Sequence, residues 1–201
     1  MASILDQLGI DQAEYNSIEA QKATGGGASA LTPGVYDVAV EKAFVRKADS
    51  GASMLELEFA TSDGEVFGIS VCIKKKNGDV NAPGIADMKH FLDATGVADT
   101  SGKEGQVKWK DSNITALCMP QLTGARMKLG IRNEDNSEYG MKNIVSAYMN
   151  KDGKNGAGES IATEVAEKIE KNPIKVPKKK PATAAATTSG ADASAVAASG
   201  W

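Results

Sequence analysis

The stretch that decides the fold is GVYDVAVEKAFVRKADSGASMLELEFATSDGEVFGISVCI, residues 34–73. Apolar side chains alternate with polar ones three times along it, in the groups Tyr36, Val38 and Val40, then Leu55, Leu57 and Phe59, then Phe67, Ile69, Val71 and Ile73. This period of two is typical of half-buried antiparallel strands. A polar loop at 46–51 and the Asp63-Gly64 turn join the three strands. The stretch therefore predicts a three-stranded meander.

The residues that follow predict a helix and two more strands. Ile85, Met88, Phe91 and Leu92 recur at helical spacing, and Gly96 ends the segment. Strands are predicted at 126–132 and 139–148, with a polar loop at 132–138 between them. The order β-β-β-α-β-β fits a mainly β protein, a five-stranded OB-fold barrel with one inserted helix. Small SH3-like barrels and an α+β roll fit the same pattern.

Composition divides the chain into four parts. Residues 1–30 are predicted to form an acidic helical and flexible arm that ends in a glycine-rich linker, and residues 31–150 form the barrel domain. Residues 151–172 form a linker and a C-terminal helix, whose apolar face is Ile161, Val165 and Ile169. Residues 173–201 are rich in Lys, Ala and Thr, a composition that predicts disorder.

The sequence offers no set of catalytic or metal-binding residues, which predicts a protein that is not an enzyme and needs no cofactor or metal. His90 is the single histidine, and Cys72 and Cys118 have no metal or redox spacing and are interpreted as reduced core thiols. The segment 96–104 resembles a phosphate-binding loop, but Glu104 stands where a Ser or Thr is required. No run of about 18 apolar residues predicts a membrane span, and the first residues predict no secretion signal.

Basic residues beside aromatic ones are the better functional signal. The net charge is −3, so a nucleic-acid site must be a local cluster of cations. Single-strand binding combines such cations with aromatic side chains on which bases stack. The candidate DNA-binding residues are Phe44, Arg46, Lys47, Lys74, Lys75, Lys76, Lys108, Trp109, Lys110, Arg126, Lys128, Arg132 and Tyr139. Alternation predicts that Arg126, Lys128 and Arg132 share one outward strand face.

The ordered pattern of segments resembles that of bacteriophage single-stranded DNA-binding proteins of the OB-fold type. The segments that carry the resemblance are residues 34–38, 40–44, 50–52, 55–59, 73–78, 124–130 and 143–148. The resemblance covers residues 31–172. It implies a protein that coats single-stranded DNA without sequence specificity during phage DNA replication, recombination and repair, in the cytoplasm of the host cell.

The family resemblance also concerns the C-terminal tail. Proteins of this family often end in an acidic tail with a terminal aromatic residue that recruits replication or recombination proteins. Trp201 supplies the aromatic residue and is the candidate partner-binding residue here. The tail departs from the pattern in its charge, because it has one acid, Asp192, against four lysines, Lys175, Lys178, Lys179 and Lys180.

A protein-interaction module is the alternative function. The near-neutral charge of the domain and the acids Glu56 and Glu58 on one strand face also fit a non-enzymatic phage structural protein built on a small β-barrel. Oligomeric state is not predicted.

Overall fold

The protein is mainly β, in a computed structural model that describes residues 4–11, 30–136 and 140–175. Its elements in chain order are α1 (Ile4–Gln7), β1 (Gly34–Lys47), β2 (Ser53–Thr61), β3 (Val66–Lys74), α2 (Ala82–Thr95), β4 (Lys103–Trp109), β5 (Ser112–Cys118), β6 (Arg126–Asn136), β7 (Gly140–Asn150), α3 (Ala162–Lys171) and β8 (Ile174–Lys175).

The predicted meander is present as β1, β2 and β3, which pair antiparallel in sequence order. Gly51 and Gly64 adopt φ values of 87° and 85° in the two connecting turns, a conformation that favours glycine. The apolar residues of the alternating pattern form the core, and Val40, Leu55 and Phe59 are fully buried. A register shift between Val40 and Lys42 marks a bulge in β1.

Strand β1 joins the two halves of the sheet. Its first half pairs with β6 from Gly34 to Ala39, and near its end it pairs with β5 at Phe44 and Val45. The opposite edge of β1 pairs with β2. One long, bulged strand with three neighbours requires a strongly curved sheet.

Helix α2 packs between β3 and β7. The ring of Phe91 lies 6.1 Å from that of Phe59 on β2 and 6.2 Å from that of Tyr148 on β7. Gly96 ends the helix in a left-handed conformation with φ of 65°, as a glycine C-cap does. The helix was predicted from its apolar spacing and lies at the predicted position.

The prediction of a five-stranded closed barrel is wrong in two respects. Residues 30–136 and 140–175 contain seven antiparallel strands, because residues 103–118 form an additional hairpin, β4–β5, that the sequence pattern had not indicated. Within the described residues the sheet is also open, since β3 and β7 do not pair. Helix α2 lies between these two strands.

The predicted polar loop at 132–138 is largely strand. Strand β6 continues through Asn136, and Asn133 pairs with Asn143 across the β6–β7 hairpin. Both asparagines bind the backbone of Leu31: its N–H donates to Oδ1 of Asn143 at 2.8 Å, and its carbonyl accepts from Nδ2 of Asn133 at 3.0 Å. Hydrogen bonding thus allows these polar residues to lie in a buried strand.

The two predicted flexible termini are partly built into the fold. The N-terminal arm, predicted to be helical and flexible, has a short helix at Ile4–Gln7, and its residues Ile4, Leu5 and Ile10 are buried in the main core. At the other end, Ile174 and Lys175 pair with β6 in parallel. The predictions for residues 12–29, for Tyr139, and for the tail from 176 to Trp201 lie outside the described residues.

Membrane spans were sought among the helices of the described residues. None of these helices has the length and apolar character needed to cross a bilayer.

Candidate nucleic-acid interface

The candidate interface is the outer face of β1–β3, defined here as the side chains on these strands that point away from the main core. Strand register places Phe44 opposite Glu56 and Glu56 opposite Ser70. The next row consists of Arg46, Met54 and Cys72. These positions alternate with the core residues Val45, Leu55 and Val71, as the pleat requires.

The end of the β4–β5 hairpin lies over this face. The Trp109 ring makes an edge contact with Phe44, with ring centroids 5.6 Å apart and planes at 76°. The guanidinium carbon of Arg46 lies 5.0 Å from the centroid of the Trp109 ring, within the range of a cation–π contact. Because β5 pairs with β1 at Cys118, far along the hairpin from Trp109, the hairpin must curl over the outer face to make these contacts.

A buried ion pair lies beneath Trp109. Nη2 of Arg46 is 2.7 Å from Oε1 of Glu56, whose side chain is 1% exposed, and the Ser70 hydroxyl donates to Oε2 of Glu56. Burial raises the pKa of Glu56, and the Ser70 hydrogen bond and the charges of Arg46 and Lys110 oppose that rise. A carboxylate removed from water needs such partners, so Glu56 holds Arg46 in place under the indole ring.

Exposed lysines lie next to the residues of this cluster in the sequence or at the ends of its strands. The main group, called the rim cations below, comprises Lys47, Lys75, Lys76, Lys108 and Lys110. Two of the loops that carry them are neighbours, because a methyl group at Gly51 would lie 3.9 Å from the carbonyl oxygen of Lys76. The predicted residue Lys74 is less available, since its Nζ donates to the carbonyl of Leu8 at 3.0 Å.

The predicted stripe of Arg126, Lys128 and Arg132 lies at the other end of β1 and is not one exposed surface. Lys128 forms an ion pair with Asp37 at 2.5 Å. Arg132 lies beside α3, in a crevice of about 310 Å³ between the helix and the sheet. Arg126 is exposed and lines a separate cleft of about 540 Å³. The helix covers one end of the stripe, which the strand alternation alone could not indicate.

The structure thus brings Phe44, Arg46 and Trp109 together, and it adds Ser70, which the sequence did not single out, and Glu56, which the sequence assigned to a different role. Glu56, which alternation along β2 places on a polar strand face, is fully buried. Glu58, on the same face, forms an ion pair with Lys42 at 2.6 Å. The ion pairs Arg46–Glu56 and Lys42–Glu58 follow from the cross-strand register of β1 and β2. The sequence alone does not give this register.

The remaining residues with reactive side chains do not assemble into a centre. Within the described ranges, no group of three or more His, Cys, Asp or Glu side chains could hold a metal ion. Cys72 and Cys118 are both free thiols, as interpreted from the sequence, but they are half-buried and do not lie in the core. His90 is half-buried on α2, and burial lowers its pKa.

Comparison with protein families and with curated proteins identified no relative. No protein-family model matches the chain, and no curated protein matches it. The function is therefore inferred from the chain's own residues and their geometry.

Proposed function

We propose that this protein binds single-stranded DNA without sequence specificity, with the outer face of β1–β3 and the β4–β5 hairpin as its binding surface. The observation that carries the proposal is Trp109, a half-buried indole that contacts Arg46 and is bordered by exposed Lys108 and Lys110. An aromatic platform within a group of cations is the combination that single-strand binding uses.

The chemistry of the surface favours binding without sequence readout. Lysine side chains attract the phosphate backbone, which is the same at every position of the strand. An indole stacks on any base, because every base has a π-face. Both contacts are independent of the identity of the base, so the surface suits a protein that coats a strand.

The acids of the outer face do not prevent this use. Glu58 is paired with Lys42 at 2.6 Å, and Glu56 with Arg46 at 2.7 Å. Both carboxylates are thereby neutralised locally, while the rim cations remain exposed. This pairing also weakens the case for a protein-interaction module, which depended on an acidic face.

The type of fold and the biological role are also part of this proposal. Strands β1, β2, β3, β6 and β7, with α2 before β6, follow the order of an OB-fold, to which the β4–β5 hairpin is added. The resemblance to phage single-stranded DNA-binding proteins supports a role in phage DNA replication, recombination and repair in the host cytoplasm. Tail-mediated recruitment through Trp201 rests on that resemblance alone.

The test is a fluorescence titration with oligo-dT in a Trp201→Phe background, where Trp109 is the remaining tryptophan. We expect quenching on binding, and we expect Trp109→Ala to weaken binding about 5- to 150-fold, equivalent to about 1–3 kcal/mol for one stacked base. Because the Ala variant has no tryptophan in this background, its affinity is measured by anisotropy of labelled oligomer.

Met141→Ala is the matched control, since Met141 is a partly exposed apolar side chain on the separate β6–β7 hairpin. It should bind as the parent protein does. Absence of oligo-dT binding by the parent, or equal affinity of the Trp109→Ala variant, would contradict the proposal. A stoichiometric complex with a replication or capsid protein, unaffected by DNA, would favour the interaction module instead.

A further inference from the structure

We propose that a bound single strand continues along β1 from Trp109 to a second subsite, the 540 Å³ cleft at Arg126, which accepts one nucleotide unit of the strand. This inference rests on the proposed function and extends it to a part of the molecule that lies outside the Trp109 cluster. It assigns the cleft a ligand class, a base together with its phosphate.

The lining of the cleft has two chemically distinct parts. One part consists of the small side chains of Ala39 and Ala60 with the neighbouring Thr61 and Ser62, whereas the side chains of the two other apolar residues at the cleft, Val38 and Met127, are buried in the core. The other consists of Arg126 and Lys151, both exposed. A floor of small side chains leaves room for a base, and a pair of cations suits a phosphate.

The two cations are available to a ligand. Among the described residues, neither Arg126 nor Lys151 has a carboxylate within ion-pair distance. The acid that lines the cleft, Asp37, is already paired with Lys128 at 2.5 Å. A phosphate entering the cleft would therefore meet two uncompensated positive charges.

Strand register connects the cleft to the first site. Ala39 pairs with Ala60 on one side and with Arg126 on the other. The bulge between Val40 and Lys42 changes the alternation, so that Ala39 lies on the same face as Phe44 and Arg46. Both sites consequently lie on one face of β1.

The separation of the sites fits one continuous ligand. Seven residues separate Ala39 from Arg46, which corresponds to about 23 Å of strand. Single-strand-binding barrels of the OB type cover about 4–16 nucleotides. A short oligomer can fill the Trp109 site alone, whereas a long one can reach both sites.

The test uses this difference in length. In the Trp201→Phe background, the double variant Arg126→Ala/Lys151→Ala is titrated with dT4 and with dT16. We expect about tenfold weaker binding of dT16, with the salt slope reduced by about 1.4 for two lost phosphate contacts, and unchanged binding of dT4. Lys168→Ala/Lys171→Ala, on the exposed side of α3, carries the same change in charge and should leave both affinities unchanged.

The outcomes separate this inference from the proposed function. Unchanged dT16 affinity, or an equal loss for dT4 and dT16, would overturn the second subsite while leaving the Trp109 site intact. Failure of the parent protein to bind either oligomer would overturn both.

Discussion

The carboxylate of Glu56 occupies the centre of the outer face with 1% of its side chain exposed. It is held there by Arg46 and Ser70, and Lys110 adds a favourable charge. Burial nevertheless dominates and raises the pKa of Glu56 from its ordinary value of 4.5. Breaking such a pair by removing one partner leaves the other charge buried and unpaired.

This shift predicts how stability depends on pH. Between 4.5 and the raised pKa of Glu56, the folded state binds more protons than the unfolded state, so the free energy of unfolding falls as pH rises through that window. Glu56→Gln removes this contribution. The stability of the parent relative to the variant should therefore decrease from acidic to neutral pH, by at most about 1.4 kcal/mol per pH unit for one proton.

Urea unfolding at a series of pH values measures this difference. Glu58→Gln is the control, because it removes a carboxylate from the same strand face that is paired with Lys42 but is more exposed. A difference between parent and Glu56→Gln that is flat or that grows with pH would show that Arg46 outweighs burial.

At the residue scale, the sequence predicts some members of the site and not others. Trp109 is conspicuous because lysines flank it, which is unusual for a core tryptophan. The buried state of Glu56 could not be predicted, because it depends on the Phe44–Glu56–Ser70 register and on a hairpin folding over that row. Local alternation alone assigns Glu56 to an exposed face.

At the scale of elements, the contact between α2 and β3 depends on one glycine. A Cβ at Gly84 would lie 1.8 Å from the carbonyl oxygen of Cys72. The same oxygen accepts a hydrogen bond from Nδ2 of Asn81 at 2.6 Å. The absence of a side chain at Gly84 thus allows the first turn of the helix to approach the strand.

Gly84→Ala should destabilise the protein by about 1–3 kcal/mol or more, the usual cost of overpacking. This sign is opposite to helix propensity, which favours Ala over Gly by about 1 kcal/mol. Urea unfolding distinguishes the two. Gly68→Ala is the matched control, since its nearest contact would be an ordinary 3.7 Å. A Gly84→Ala variant as stable as the parent would contradict the close approach.

The elements with regular periodicity were predictable, and the others were not. Strands β1–β3 and helix α2 have clear apolar spacing. The β4–β5 hairpin turns at Lys110, which has a φ of 53°, so the glycine or asparagine signal of a tight hairpin is missing. The end of β6 is polar because Asn133 bonds to the backbone of Leu31, an interaction between residues distant in sequence.

At the scale of the whole molecule, the negative net charge opposes long-range attraction to DNA. The net charge is −3, so binding must depend on the local group of rim cations. Glu56 and Glu58, on the outer face of β1–β3, are paired with Arg46 and Lys42. Affinity should consequently depend strongly on salt although the protein as a whole is acidic.

The salt dependence can be predicted from the number of contacts. If the five rim cations, together with Arg126 and Lys151 of the cleft, each neutralise one phosphate of dT16, log K should fall against log salt with a slope of about −4.9, at about 0.7 per contact for a single strand. Lys108→Ala/Lys110→Ala should reduce the magnitude of this slope by about 1.4, whereas the control Lys168→Ala/Lys171→Ala should preserve it. Titrations with dT16 between 50 and 200 mM salt, on the order of the range over which such contacts change affinity, measure both slopes. A slope near zero for the parent, or an equal reduction by both double variants, would show that the rim cations do not contact the phosphate backbone.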